Sequence, residues 1–125
     1  MEENMNQRAA VIAVVDDDPQ VLESLQELLE SAGFTPRTFS SGAAFLAVGL
    51  SEVDVLITDI GMPDMDGFEL QACVEEKHPH ISIFLISGRH EKSDRKSSRT
   101  EKILRKPFDG HALLESIRRT LATHH

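Results

Sequence analysis

Three short runs constrain this 125-residue chain most tightly: Val11-Ile12-Ala13-Val14-Val15, Val55-Leu56-Ile57-Thr58 and Ile81-Ser82-Ile83-Phe84-Leu85-Ile86. Each is almost wholly apolar, rich in β-branched side chains, and too short for a helix that buries every side. Strands of a parallel sheet covered on both faces read this way, because neither face of such a strand meets water. Weaker strand candidates cover Phe34 to Phe39 and Lys102 to Arg105.

Helical patterns separate the runs. Val21, Leu22, Leu25, Leu28, Leu29 and Ala32 recur at three- and four-residue spacing, with Pro19 near the start and Gly33 just past the end. Phe68, Leu70, Cys73 and Val74 predict a second amphipathic helix, from about Asp66 to before Pro79. A short helix is expected over Ser41 to Val48. The last, from Asp109 to about Ala122, carries Leu113, Leu114, Ile117 and Leu121, with Asp109 as its N-cap and Asp18 as the cap of the first helix. Strand–helix alternation of this kind implies an α/β domain with right-handed crossovers. One domain is expected over residues 9–122, with a flexible tail at 1–8 and another at 123–125.

The segment Gly88 to Lys102 breaks the pattern, since it contains no Ala, Val, Ile, Leu, Met, Phe, Tyr or Trp. A docked helix needs an apolar stripe, so this stretch is expected to be a mobile loop or a loosely held, solvent-facing helix. It also divides the charge. The net charge is -8, yet residues 89–106 hold eight basic and three acidic residues, while residues 1–88 hold three basic and 16 acidic ones. The acidic whole counts against nucleic acid or an anionic membrane as the main partner. The basic face from Arg89 to Lys106 is where an acidic protein partner would bind. One cysteine, Cys73, can form no intrachain disulfide and is expected to be a buried small hydrophobe. No apolar run approaches the ~20 residues of a membrane-spanning helix, and the acidic N-terminus is unlike a signal peptide, so a cytoplasmic location is expected. His78 and His80 are expected to be solvated.

In open α/β sheets, ligands bind beyond the carboxyl ends of the strands. After the first strand come Asp16, Asp17 and Asp18, after the third comes Asp59, after the fourth Ser87, and at the end of the fifth Lys106, followed by Pro107. Crowded carboxylates repel one another unless a cation sits among them, and hard oxygen donors with space for water suit Mg²⁺. Such a metal could hold the oxygens of an incoming phosphoryl group, with the Lys ammonium and Ser hydroxyl as further partners. Asp59 stands alone after its strand and is the candidate nucleophile, able to form an aspartyl-phosphate. The following Gly61-Met62-Pro63-Asp64-Met65-Asp66-Gly67 has the residues of a tight, shaped turn.

The chain resembles the receiver domain of bacterial two-component response regulators. The likeness rests on Val14-Val15-Asp16-Asp17-Asp18-Pro19, on Leu56 to Gly67 with its Asp59-Ile60-Gly61-Met62-Pro63-Asp64-Met65-Asp66-Gly67, on Leu85-Ile86-Ser87-Gly88 and on Lys106-Pro107-Phe108. It implies a CheY-like, flavodoxin-like doubly wound fold: a five-stranded parallel sheet in order 2-1-3-4-5 flanked by five helices, the fourth atypical or disordered here. It implies phosphoryl transfer onto Asp59 from a histidine kinase or a phosphotransfer protein. By position, Asp17 and Asp59 would bind Mg²⁺ directly, Asp16 mainly through water, and Gly61 through its backbone carbonyl, while Ser87 and Lys106 would bind the phosphoryl oxygens. The resemblance implies a signalling phosphoacceptor that assists its own phosphorylation and dephosphorylation, rather than an enzyme acting on a separate substrate. Two departures bear on output: the polar Gly88 to Lys102 segment replaces an apolar-striped helix, and Ile103 stands where the family's switch aromatic normally lies. Positions 61 and 89, Gly and Arg here, resemble sites that tune phosphoryl lifetime.

Two other readings fit parts of the pattern. The fold could serve as a phosphorylation-independent protein-binding module whose altered fourth-helix region docks a partner constitutively. It could also be a Mg²⁺-dependent phosphohydrolase, which is disfavoured because no Asp lies two residues after Asp59 to act as acid and base.

Overall fold

The computed structural model describes residues 9–88, 102–105 and 108–122. Over them the chain runs β1 (Val11–Val15), α1 (Pro19–Ser31), β2 (Thr35–Phe39), α2 (Gly42–Val48), β3 (Val55–Asp59), α3 (Gly67–Lys77), β4 (Ser82–Ser87), β5 (Lys102–Arg105) and α4 (Gly110–Ala122). The five strands form one sheet in order β2-β1-β3-β4-β5, every pair parallel. Both weak strand candidates are therefore strands, and they occupy the two edges, where burial is least and the apolar signal is thinnest.

Alternation along the strands sorts the core into two layers. Val11, Ala13, Val15, Leu56, Ile83 and Leu85 face Phe45 of α2 and Leu70 and Val74 of α3. Ile12, Val14, Val55, Ile57, Phe84 and Ile86 face Leu25 and Leu29 of α1 and Leu113, Leu114 and Ile117 of α4. Residues one apart on a strand point to opposite faces. A strand buried on both sides must therefore be apolar throughout, as β1 is at every position. Ile103 of β5 packs at the margin of the first layer and Leu104 at the margin of the second.

The helix ends follow local chemistry. Asp18 is the N-cap of α1, its carboxylate accepting from the Gln20 N–H at 3.0 Å, and Pro19 starts the helix where no intrahelical donor is needed. That helix stops in a Schellman turn. The Gly33 N–H donates to the Glu30 carbonyl and the Phe34 N–H to the Leu29 carbonyl, both at 3.0 Å, with Gly33 at φ +90°. Asp66 and Glu69 form a reciprocal capping box at the start of α3. Asp109 caps α4 by accepting from the His111 N–H at 2.9 Å.

Cys73 differs from its expected place, being half-buried on α3 rather than buried. Leu70 and Val74 take the centre of that helix's apolar stripe, and Cys73 falls at its border. His80 is exposed and His78 half-buried, their rings edge to face at 5.6 Å. The tails at 1–8 and 123–125, most of the Gly88 to Lys102 segment, and Lys106 with Pro107 lie outside the described residues. Among the described residues, no helix is long and apolar enough to cross a membrane.

Candidate metal and phosphoryl site

The carboxyl ends of β1, β3 and β4 bring the acidic and hydroxyl side chains together. β1 and β3 are direct neighbours, with Val15 opposite Thr58, so Asp16 and Asp59 follow one another across the same rim. Carboxylate oxygens of Asp16, Asp17 and Asp59 all lie within 4.8 Å of one another. Asp16 is 1% exposed and Asp59 6%, while Asp17 is exposed.

Each residue is held by its own backbone surroundings. The Asp16 N–H donates to the Phe39 carbonyl at 3.1 Å, tying the end of β1 to the end of β2. One Asp16 oxygen, Oδ1, accepts from the Asp18 N–H at 2.9 Å, which turns the chain into α1. Asp59 is the last residue of β3 and pairs with Ile86 of β4. The next residue, Ile60, extends the ladder by donating its N–H to the Ile86 carbonyl at 2.9 Å. Strand pairing thus continues to the edge of the site, so Asp59 is placed by the sheet and not by a loop.

Ser87 ends β4 one residue beyond Asp59's partner and is fully buried, its hydroxyl donating to the Gly88 carbonyl at 3.1 Å. It also pairs with Arg105 of β5. Lys106, the next residue along, lies outside the described residues. Gly61 is exposed at the start of the loop after Asp59, between the buried Ile60 and Met62.

Two largely buried carboxylates side by side are costly, because burial strips their hydration while like charge repels at short range. A divalent cation removes both penalties. The donors here are all hard oxygens, two at the buried floor and one toward solvent, and this set fits Mg²⁺, which takes few protein ligands and keeps several waters. A dedicated all-protein cage would instead surround the ion. Asp16, Asp17 and Asp59 can together hold such an ion.

The loop from Ile60 to Gly67 closes on this floor. Gly67 is buried, and its N–H donates to the Ile60 carbonyl at 3.0 Å. A Cβ at Gly67 would lie 2.6 Å from the Asp59 carbonyl oxygen and 2.8 Å from the Ile60 Cα. The sequence shows Gly67 as one residue of a tight turn, but not this close approach, which depends on where α3 begins relative to β3. Thr58, fully buried, donates its hydroxyl to the same Asp59 carbonyl at 3.2 Å. No pattern in the sequence singles it out from its apolar neighbours.

Comparison with known proteins agrees with the geometry. The response regulator receiver domain family matches residues 12–118. The response regulator protein TmoT of Ectopseudomonas mendocina is 42% identical over 87 residues, covering 69% of this chain and 40% of that protein. The transcriptional regulatory protein FixJ of Azorhizobium caulinodans is 32% identical over 114 residues, 88% of this chain and 54% of that one. The chain thus spans roughly half or less of the length of these relatives. The crystal structure of a response regulator receiver protein from Sinorhizobium medicae superposes with a TM-score of 0.84 at 27% identity, covering 96% of this chain and all of that one. Receiver domains of this family bind Mg²⁺ through acidic residues and receive phosphoryl groups from histidine kinases. With the fold, strand order and acidic rim in agreement, the chain belongs to the response regulator receiver domain family.

Proposed function

We propose that this chain is the phosphoacceptor of a two-component signalling pair, with Asp59 as the residue phosphorylated. The observation that carries the reading is the largely buried Asp59 at the end of β3, within 4.8 Å of the Asp16 and Asp17 carboxylates. A carboxylate oxygen of Asp59 attacks the phosphorus of a phosphohistidine. The P–N bond breaks as the new P–O bond forms, and the departing imidazole takes up a proton from water. Mg²⁺, when bound, supplies positive charge for the phosphoryl oxygens.

The chain's own groups do the rest. Asp17 and Asp59 would hold the metal directly and Asp16 mainly through water, with the Gly61 carbonyl as a further ligand. The Ser87 hydroxyl donates to a phosphoryl oxygen, and the Lys106 ammonium, assigned from its Lys-Pro motif, pairs with another. The pairing of β3 with β4 keeps Asp59 in one place and lowers the entropy lost on reaching the attacking geometry. In this reading the domain is a switch that assists its own phosphorylation and dephosphorylation, working in the cytoplasm. Its basic Arg89 to Lys106 segment would meet an acidic output partner.

The experiment is transfer from an autophosphorylated histidine kinase bearing labelled phosphate. Label should move to the wild-type chain in the presence of Mg²⁺, and should fail to move with EDTA or with Asp59→Asn. Equal labelling of wild type and Asp59→Asn would overturn the assignment.

A further inference from the structure

Resting on the metal-dependent reading above, we infer that Gly67 is a positioning residue for the ion, acting through the loop from Ile60 to Asp66. That loop is braced at four points. At its tip Asp64 has φ +66°, and the Met65 N–H donates to the Pro63 carbonyl at 2.7 Å, a three-residue turn that an L-residue enters at a cost. Met65 is pressed toward α2, where a Cβ added to Gly42 would come within 3.0 Å of its sulfur. Asp66 is locked by the capping box with Glu69. At the base, Gly67 joins the loop's two ends through its bond to Ile60 and lies against the backbone of Asp59 itself.

The last brace sets the geometry of the site. The three atoms nearest a Cβ at Gly67 are all backbone, of Asp59 and Ile60, and none is the tip of a flexible side chain. Backbone at the end of a paired strand cannot yield without moving the residue it carries. A methyl group at position 67 therefore forces either Asp59 away from Asp16 and Asp17 or the start of α3 away from the sheet. In the second case Gly61, six residues before Gly67, shifts with the loop. Either displacement changes the spacing between Gly61 and the carboxylate floor. Mg²⁺ requires short, nearly octahedral contacts, whereas Ca²⁺ accepts longer and irregular ones. The absence of a side chain at Gly67 thus sets the site's fit to the smaller ion.

Amide NMR titrations with Mg²⁺ and with Ca²⁺, on wild type, Gly67→Ala and Gly110→Ala, test this. Gly110 is a second crowded glycine, at the start of α4, where the three atoms nearest an added Cβ all belong to the flexible Leu28 side chain. Gly67→Ala should weaken Mg²⁺ binding at least about tenfold and Ca²⁺ binding distinctly less, given the stricter geometry of Mg²⁺. Gly110→Ala should leave both affinities at wild-type values, whatever it does to the melting temperature. Should Gly67→Ala fail to fold, Asp66→Ala, which frees the first turn of α3 without adding an atom, should show the same loss of preference for Mg²⁺. A folded Gly67→Ala, or in its place Asp66→Ala, with wild-type affinity for both ions overturns the inference. A wild-type chain whose Asp16, Asp17 and Asp59 amides do not respond to Mg²⁺ overturns the metal reading itself, a result distinct from that one.

Discussion

Asp16 and Asp59 are the residues whose placement is hardest to explain as structure alone. Both are carboxylates at the end of strands, both are almost out of water, and their oxygens are within 4.8 Å of each other and of Asp17. Like charges that close repel by several kcal/mol at an effective dielectric of ~20, an upper bound in a site that water reaches. Removing one should therefore stabilise the metal-free protein. Asp59→Asn is expected to raise the unfolding free energy without divalent ions by roughly 1 kcal/mol. It should also gain less than wild type on adding Mg²⁺, since a ligand stabilises only in proportion to its binding. Chemical denaturation in EDTA and in Mg²⁺ checks both signs, and a variant less stable than wild type in EDTA would contradict this electrostatic account. Gly33 bears on stability and not on the site. At φ +90° with open space around it, a side chain there meets no clash but must enter the left-handed region. Gly33→Ala should cost about 1 kcal/mol, with metal affinity unchanged.

Among the elements, the edge strand β2 shows how the sheet ends. The Thr35 N–H donates to the Ala10 carbonyl and the Phe39 carbonyl accepts from Asp16, so residues 35, 37 and 39 face β1. Residues 36 and 38 face the open edge, and Pro36 has no N–H to offer there. This is a common way to blunt an edge against pairing with another chain. Pro36→Val should favour association at high concentration, visible by size-exclusion chromatography, and a variant as monodisperse as wild type would contradict that role. The layers follow the same logic of exposure. The doubly buried strands were legible because burial on both faces leaves only apolar residues, and Asp18, Asp66 and Asp109 marked helix starts because capping is local chemistry. Asp16, Asp17, Asp59 and Ser87 were legible as strand-end residues once the sheet was assumed. Less was readable where a role depends on contact between distant segments. Gly67 against the Asp59 carbonyl, Thr58 beneath it and Phe39 holding Asp16 arise from how helices dock on the sheet, which no spacing in one chain records. Cys73 was misplaced for a related reason, since the width of an apolar stripe on α3 is set by what packs over it.

Across the domain, the chemically active side chains converge on one rim. A parallel sheet turns all its carboxyl ends to one rim, and the order β2-β1-β3-β4-β5 puts β1 beside β3 and β3 beside β4. The segments that carry Asp16, Asp59 and Ser87 meet because of that order, although they are far apart along the chain. The two core layers hold the strands in register from both faces, so damage to either should loosen the rim. Phe45 is fully buried in the first layer and packs against Phe39 with ring centroids 5.3 Å apart. Phe45→Ala should cost about 3–5 kcal/mol, and through Phe39 and its bond to Asp16 it should also weaken Mg²⁺ binding. The net charge of -8 combines this acidic rim with the basic segment after Gly88, two regions of opposite sign in one chain. The claim at the centre, that Asp59 is the phosphoacceptor, is open to direct chemical mapping. The chain is incubated with acetyl phosphate and Mg²⁺, the acyl phosphate is reduced with borohydride to homoserine, and peptide mass spectrometry locates the product. The account predicts homoserine at position 59 alone, and none when EDTA replaces Mg²⁺. Reduction at any other aspartate, or an unmodified chain under conditions that label other receiver domains, would contradict it.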